Sequence, residues 1–154
     1  MNIEHFVLLL MIVISTILVS GCSSIFQEPS VTVGSVDLAH INATDLSLNI
    51  TLNVENPNPF GIMFRKITAD VSYLNGKEWN QLSHIEKEDI DIMVGESTVL
   101  LPVSVRNEDL IKAGFHLLLS GDISIQVTGI AEPSFFGFEP RIPFQETRSI
   151  PLKI

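Results

Sequence analysis

Between Thr44 and Glu55 polar and apolar residues alternate without an error. Leu46, Leu48, Ile50, Leu52 and Val54 share one parity, and Asp45, Ser47, Asn49, Thr51, Asn53 and Glu55 share the other. Successive side chains of a strand point to opposite faces, so this is a long strand with one oily face and one wet face. It runs into Asn56-Pro57-Asn58-Pro59-Phe60-Gly61. Each proline fixes its own φ and drives the asparagine before it towards extended geometry. Neither proline has an N–H for a sheet ladder, so pairing stops here. The segment reads as a stiff corner, with Gly61 free to turn the chain into the next strand.

The same period of two recurs along the chain. Val31, Val33, Val36, Leu38 and Ile41 form an earlier strand whose parity slips at Gly34-Ser35, the sequence mark of a β-bulge. After the corner, Ile67, Ala69, Val71 and Tyr73 lead into Asn75-Gly76, a strong signal for a two-residue type I′ hairpin. That loop pairs Leu74 with Lys77 and Ser72 with Trp79. Trp79 thus falls on the face opposite Val71 and Tyr73, partly buried or part of an outer patch. The return strand, through Leu82 and Ile85 to Ile90, Ile92 and Val94, is less regular. Beyond Gly95-Glu96 come Val99, Leu101, Val103 and Val105, with Pro102 off their parity and hence on an edge.

One segment changes period. Asn107 has the character of an N-cap, Glu108 and Asp109 suit a first turn, and Leu110, Ile111, Phe115, Leu117 and Leu118 keep helical spacing. Gly121 closes it, predicting one helix from about Asn107 to Ser120. Ile123, Ile125 and Val127 give another strand. A closing strand carries Ile142, Phe144 and Ile150, with Pro143 and Pro151 marking an edge. The expected fold is mostly β: an antiparallel sandwich of about seven strands plus one α-helix, of the fibronectin III or immunoglobulin kind. Its core should include Leu48, Ile50, Leu52, Val71, Val103 and Ile125.

A long alternating strand that ends in Asn-Val-Glu-Asn-Pro-Asn-Pro-Phe-Gly-Ile resembles the water-stress-and-hypersensitive-response (WHy) domain of the late embryogenesis abundant type 2 family. The resemblance extends through the hairpin, the late helix and the closing strand, from about Pro29 to Ile154. It implies a non-enzymatic domain that shields membranes or client proteins under water stress. Asn56, Pro57, Asn58, Pro59, Phe60 and Gly61 are its structural motif.

Composition narrows the field. The chain has 154 residues, enough for one domain and too few for two. Its formal charge is −9, and only Glu4 precedes Cys22, so the part from Cys22 onward carries −8. Such an acidic domain is a poor partner for nucleic acid and is weakly repelled by anionic headgroups. The single cysteine excludes an internal disulfide and a cysteine-built zinc cage.

The first segment is an address. Phe6 to Leu18 is a mainly apolar run of thirteen residues, whereas a helix needs about twenty to span a bilayer. It fits the core of a signal peptide. Val19-Ser20-Gly21-Cys22 follows and resembles the lipobox of prokaryotic lipoproteins, in which the cysteine thiol receives a diacylglyceryl group and becomes the mature N-terminus. The chain then divides into a lipoprotein signal peptide (1–21), a lipid-anchored tether (22–29) and the sandwich (30–154). Ser23 to Pro29 reach at most about 25 Å when extended, holding the domain at the outer face of the cell membrane. A short uncleaved anchor is the other reading. The n-region Met-Asn-Ile-Glu-His departs from pattern in lacking lysine and arginine.

Candidate chemistry is sparse. His5, His40, His84 and His116 are scattered without metal-ligand spacing, and no nucleophile elbow, phosphate loop or paired-acid motif occurs. Neither a catalytic residue, a metal site nor a cofactor is expected. Asn42-Ala43-Thr44 and Asn49-Ile50-Thr51 match the glycosylation sequon, the first in a turn and the second in mid-strand. Phe135, Phe136 and Phe138 lie in the run Glu132-Pro133-Ser134-Phe135-Phe136-Gly137-Phe138, a loop marked by proline and glycine. They either cap the end of the sandwich or form an exposed apolar contact patch. Besides protection, an amphiphile carrier with an internal cavity and an envelope assembly module docking by a strand edge remain open.

Overall fold

The computed structural model describes residues 26–41, 45–106, 121–135, 137 and 139–151. Cys22, Asn42, the helix expected over Asn107 to Ser120, Phe136 and Phe138 lie outside the described residues. Among the described residues there are seven strands: β1 (Ser30–Ile41), β2 (Asp45–Asn56), β3 (Ile62–Asn75), β4 (Glu78–Ile92), β5 (Gly95–Arg106), β6 (Asp122–Ser134) and β7 (Ile142–Pro151). They form a three-stranded sheet in the order β1-β2-β5 and a four-stranded sheet in the order β4-β3-β6-β7. Every pairing is antiparallel.

The period-two pattern explains why the two sheets meet. Each strand turns one row of apolar side chains inward, and the rows from both sheets merge into one core. Leu48, Ile50, Leu52, Val71, Val103 and Ile125 are all buried in it, as their parity requires. The three prolines expected on edges fall where a missing N–H does least harm. Pro102 is on β5, and Pro143 and Pro151 are on β7, each an outermost strand of its sheet.

Several strands carry an extra residue. In β1 the register to β2 shifts between Val33 and Ser35, leaving Gly34 as the bulged residue, and shifts again at Ala39. The β3–β4 register shifts at Val71/Ser72, where Leu82 is the unmatched residue. Arg65 is the corresponding extra residue between β3 and β6. One glycine is enforced by packing. A Cβ on Gly129 would lie 2.3 Å from the Thr68 carbonyl oxygen and 2.2 Å from the Phe144 ring, so β6 can approach β3 and β7 only without a side chain there.

The β3–β4 hairpin corrects one expectation. Asn75 pairs with Glu78 and Leu74 with Trp79, so the two loop residues are Gly76 and Lys77. Gly76 has φ 66° while Lys77 does not have positive φ. A glycine in the first central position alone is the type II′ pattern, not type I′. The slip moves the register by two, which leaves each side chain on its expected face. Trp79 accordingly sits opposite Leu74 on the outer side, 40% exposed.

Candidate functional site

One end of the sandwich collects the features that the sequence singled out. The antiparallel registers bring the starts of β1, β3, β5 and β7 together with the ends of β2, β4 and β6. Here the chain passes from one sheet to the other twice, through 57–61 and through Met93-Val94.

The corner continues the alternation of β2 beyond the last paired residue. Val54, Asn56 and Asn58 are buried, while Glu55, Pro57 and Pro59 are exposed. Residues before proline are held extended, so the period of two survives and both asparagines point inward. They are the two fully buried polar residues among the described ones, each 1% exposed. A buried amide is costly unless its donors and acceptors are matched. Here they are. Asn56 Nδ2 donates to the carbonyl oxygens of Phe60 at 2.9 Å and Met93 at 3.2 Å. Its Oδ1 accepts from the Asn58 backbone N–H at 3.1 Å and from Asn58 Nδ2 at 2.9 Å. Two donors and two lone pairs exhaust the capacity of the side chain.

Asn58 extends the network to the N-terminal segment. Its Nδ2 donates to the Gln27 carbonyl oxygen at 2.7 Å, and its Oδ1 accepts from the Gln27 N–H at 2.8 Å. This reciprocal pair imitates the exchange between two strands, with a side chain in place of a backbone. Phe26 stacks on Phe135 with centroids 4.5 Å apart, and Phe60 stacks on the same ring at 5.1 Å. Pro29 is buried beside them. Of the tether expected over 22–29, residues 26–29 therefore lie against the sandwich. Phe135 is partly buried as a cap on the core.

Gly61 serves differently from expectation. Its φ is not positive, so no left-handed turn demands it. A Cβ there would stand 3.3 Å from the Ile92 carbonyl oxygen, and close approach is the reason for glycine. Outside the corner, Glu132 lies between Arg65 at 3.5 Å and Arg141 at 3.2 Å, while Arg65 also pairs with Glu139 at 3.1 Å. The arginines are solvent-exposed, so these pairs contribute little stability each.

The described histidines, His40 and His84, are both exposed, and His84 Nδ1 lies 2.8 Å from Asp70 Oδ1. Among the described residues no group of three or more His, Cys, Asp or Glu is placed to hold a metal. A groove of about 360 Å³ crosses the outer face of the three-stranded sheet, lined by Thr32, Asn53, Glu55, Glu96 and Thr98 among others. Apart from Val54 its lining is hydroxyl, amide and carboxylate, unlike the apolar interior that an amphiphile carrier needs.

The region around this corner is also where the chain matches a family. The late embryogenesis abundant protein model fits residues 51–148, from the second half of β2 into β7. The chain belongs to the type 2 late embryogenesis abundant family. An uncharacterized protein of Methanocaldococcus jannaschii is 29% identical over 142 residues, covering 92% of this chain and 81% of that protein. The solution structure of a putative late embryogenesis abundant protein superposes with a TM-score of 0.61 at 16% identity, over 97% of this chain and 85% of the other. A crystal structure of a protein from Archaeoglobus fulgidus gives 0.53 at 11% identity, over 83% and 98% respectively. At these identities the two structures speak for the fold. The Asn-Pro-Asn corner lies inside the late embryogenesis abundant match, and its saturated hydrogen bonding makes it a structural joint. No amide group of Asn56 is left to meet a substrate.

Proposed function

We propose that this protein is a lipid-anchored envelope protein with a WHy-type sandwich of the fibronectin III kind, protecting membranes or client proteins under water stress by contact and without turnover. Membership of the late embryogenesis abundant family across 51–148 carries the reading. The resemblance of Val19-Ser20-Gly21-Cys22 to a lipobox supplies the address, at the outer face of the cell membrane. The charge of −8 from Cys22 onward adds a physical reason. Like-charged domains repel one another and resist clumping as water is withdrawn.

The anchor has its own test. Two acyl chains give stable attachment where a single chain is marginal, each buried methylene contributing about 0.8 kcal/mol. Cys22→Ser should therefore abolish incorporation of a fatty-acid probe and leave residues 1–21 uncleaved. An intact Met1 on the wild-type, membrane-bound protein would establish the uncleaved anchor instead. Protection itself should scale with the amount of folded protein present, with no substrate consumed.

A further inference from the structure

The corner end of the sandwich bears an apolar surface that neither the core nor the corner network uses. Five large hydrophobic side chains are exposed among the described residues: Met63, Trp79, Met93, Val94 and Leu100. Three of them share this end. Met93 is 74% exposed and Val94 55%, adjacent at the β4–β5 crossing, and Met63 is 40% exposed at the start of β3. The crossing is held from beneath, because Asn56 Nδ2 binds the Met93 carbonyl oxygen. Its side chains are thus presented outward on a fixed backbone.

The chain itself says what lies opposite. Gln27 is clamped by Asn58 and Phe26 is stacked on Phe135, so the polypeptide leaves the sandwich at this end. Cys22 is four residues before Phe26, a reach of at most about 14 Å. An acyl chain on Cys22 would then draw this end, and not the Gly76-Lys77 end, against the bilayer. The opposite end stands off by the length of a twelve-residue strand, about 40 Å. Two acids here, Glu132 and Glu139, are matched by Arg65 and Arg141. Glu28 and Glu96 are also exposed at this end, so attraction to anionic headgroups is not the driving force.

We propose that Met93 and Val94, flanked by Met63, form a membrane seat that enters the boundary between headgroups and acyl chains beside the lipidated Cys22. The geometry rests on the lipid-anchor reading. The seat gives the anchored domain a fixed posture, with the corner end down and the Gly76-Lys77 hairpin outermost. Apolar side chains buried to that depth add to the anchor in proportion to their area.

The test uses full-length protein processed in its host, purified and reconstituted in phosphatidylcholine vesicles. Met93→Cys and Lys77→Cys are each labelled with an environment-sensitive fluorophore, both sites being exposed and free of core contacts. Unsubstituted protein reports any unacylated Cys22, and fatty-acid labelling reports acylation in the same samples. The expected result is blue-shifted emission at 93, quenched by brominated acyl chains and shielded from aqueous iodide, with neither effect at 77. Acylated protein whose probe at 93 stays unquenched and open to iodide overturns the seat and leaves the anchor standing. Quenching at 93 without acylation keeps the seat and removes the anchor. Shielding at 93 in native membranes but not in vesicles overturns the seat in favour of a protein partner.

Discussion

Replacing Asn56 with leucine, a side chain of similar size, should destabilise the protein by about 3–5 kcal/mol. Four groups lose a partner at once: the carbonyl oxygens of Phe60 and Met93, the Asn58 N–H and the Asn58 Nδ2 donor. A buried polar group left unmatched costs about 1–3 kcal/mol, and the two Asn58 donors are fully buried. The two carbonyls are only partly buried, so water recovers some of their bonding and the total stays below a simple sum. Asn56→Asp separates hydrogen bonding from shape. It keeps the volume but turns one carboxylate oxygen towards two carbonyl oxygens, and should be at least as damaging near neutral pH. Denaturant unfolding of both variants provides the measurement. A loss below about 0.5 kcal/mol for Asn56→Leu, the level of ordinary surface changes, would show that the corner is not the joint described.

Truncating Ile50 to alanine should cost on the order of 2–5 kcal/mol. Ile50 is fully buried at the middle of β2, the central strand of its sheet, with Val36 opposite it on one side and Leu101 on the other. Both neighbouring strands fix its position, so the cavity cannot close by moving an edge. The half-buried Asn49 and Thr51, on the other face of β2, provide the internal comparison, where alanine should cost no more than about 1 kcal/mol. A larger loss at 49 than at 50 would mean that the two faces of β2 had been exchanged. The two variants differ in kind. Ile50→Ala removes packing from the centre, while Asn56→Leu unties the corner, the β4–β5 crossing and the docked segment at 26–29.

The strands were legible because each buries only one face. An unbroken alternation in β2, and a parity change at the Gly34 bulge, follow directly from the pleat. The facing of Trp79 was also legible, even though the turn slipped by one residue, since a register change of two preserves sides. The bulge at Leu82 was not. It lies on β4, an edge strand with most positions exposed, where little separates one parity from the other.

The corner shows what a local pattern leaves out. Asn56 and Asn58 continue the inward parity of Leu52 and Val54, but a segment read as a corner where pairing stops gives its residues no face. Their partners were not legible either. Gln27 lies 31 residues from Asn58, and Met93 lies 37 residues from Asn56. Only the fold brings them together, and with them it turns part of an expected tether into a docked segment. The phenylalanine loop divides similarly: Phe135 caps the core between Phe26 and Phe60, while Phe136 and Phe138 are outside the described residues.

Protection by contact is the central claim, and drying tests it most directly. The soluble form should span Ser23 to Ile154, so that Phe26 to Pro29 can still dock on Asn58 and Phe135. A labile enzyme and dye-loaded liposomes are dried and rehydrated with this protein, with its Asn56→Leu variant, or with an equal mass of an unrelated acidic protein. The account predicts more retained activity and less leakage with the wild-type domain than with either comparison. Equal retention with the unrelated acidic protein would contradict it.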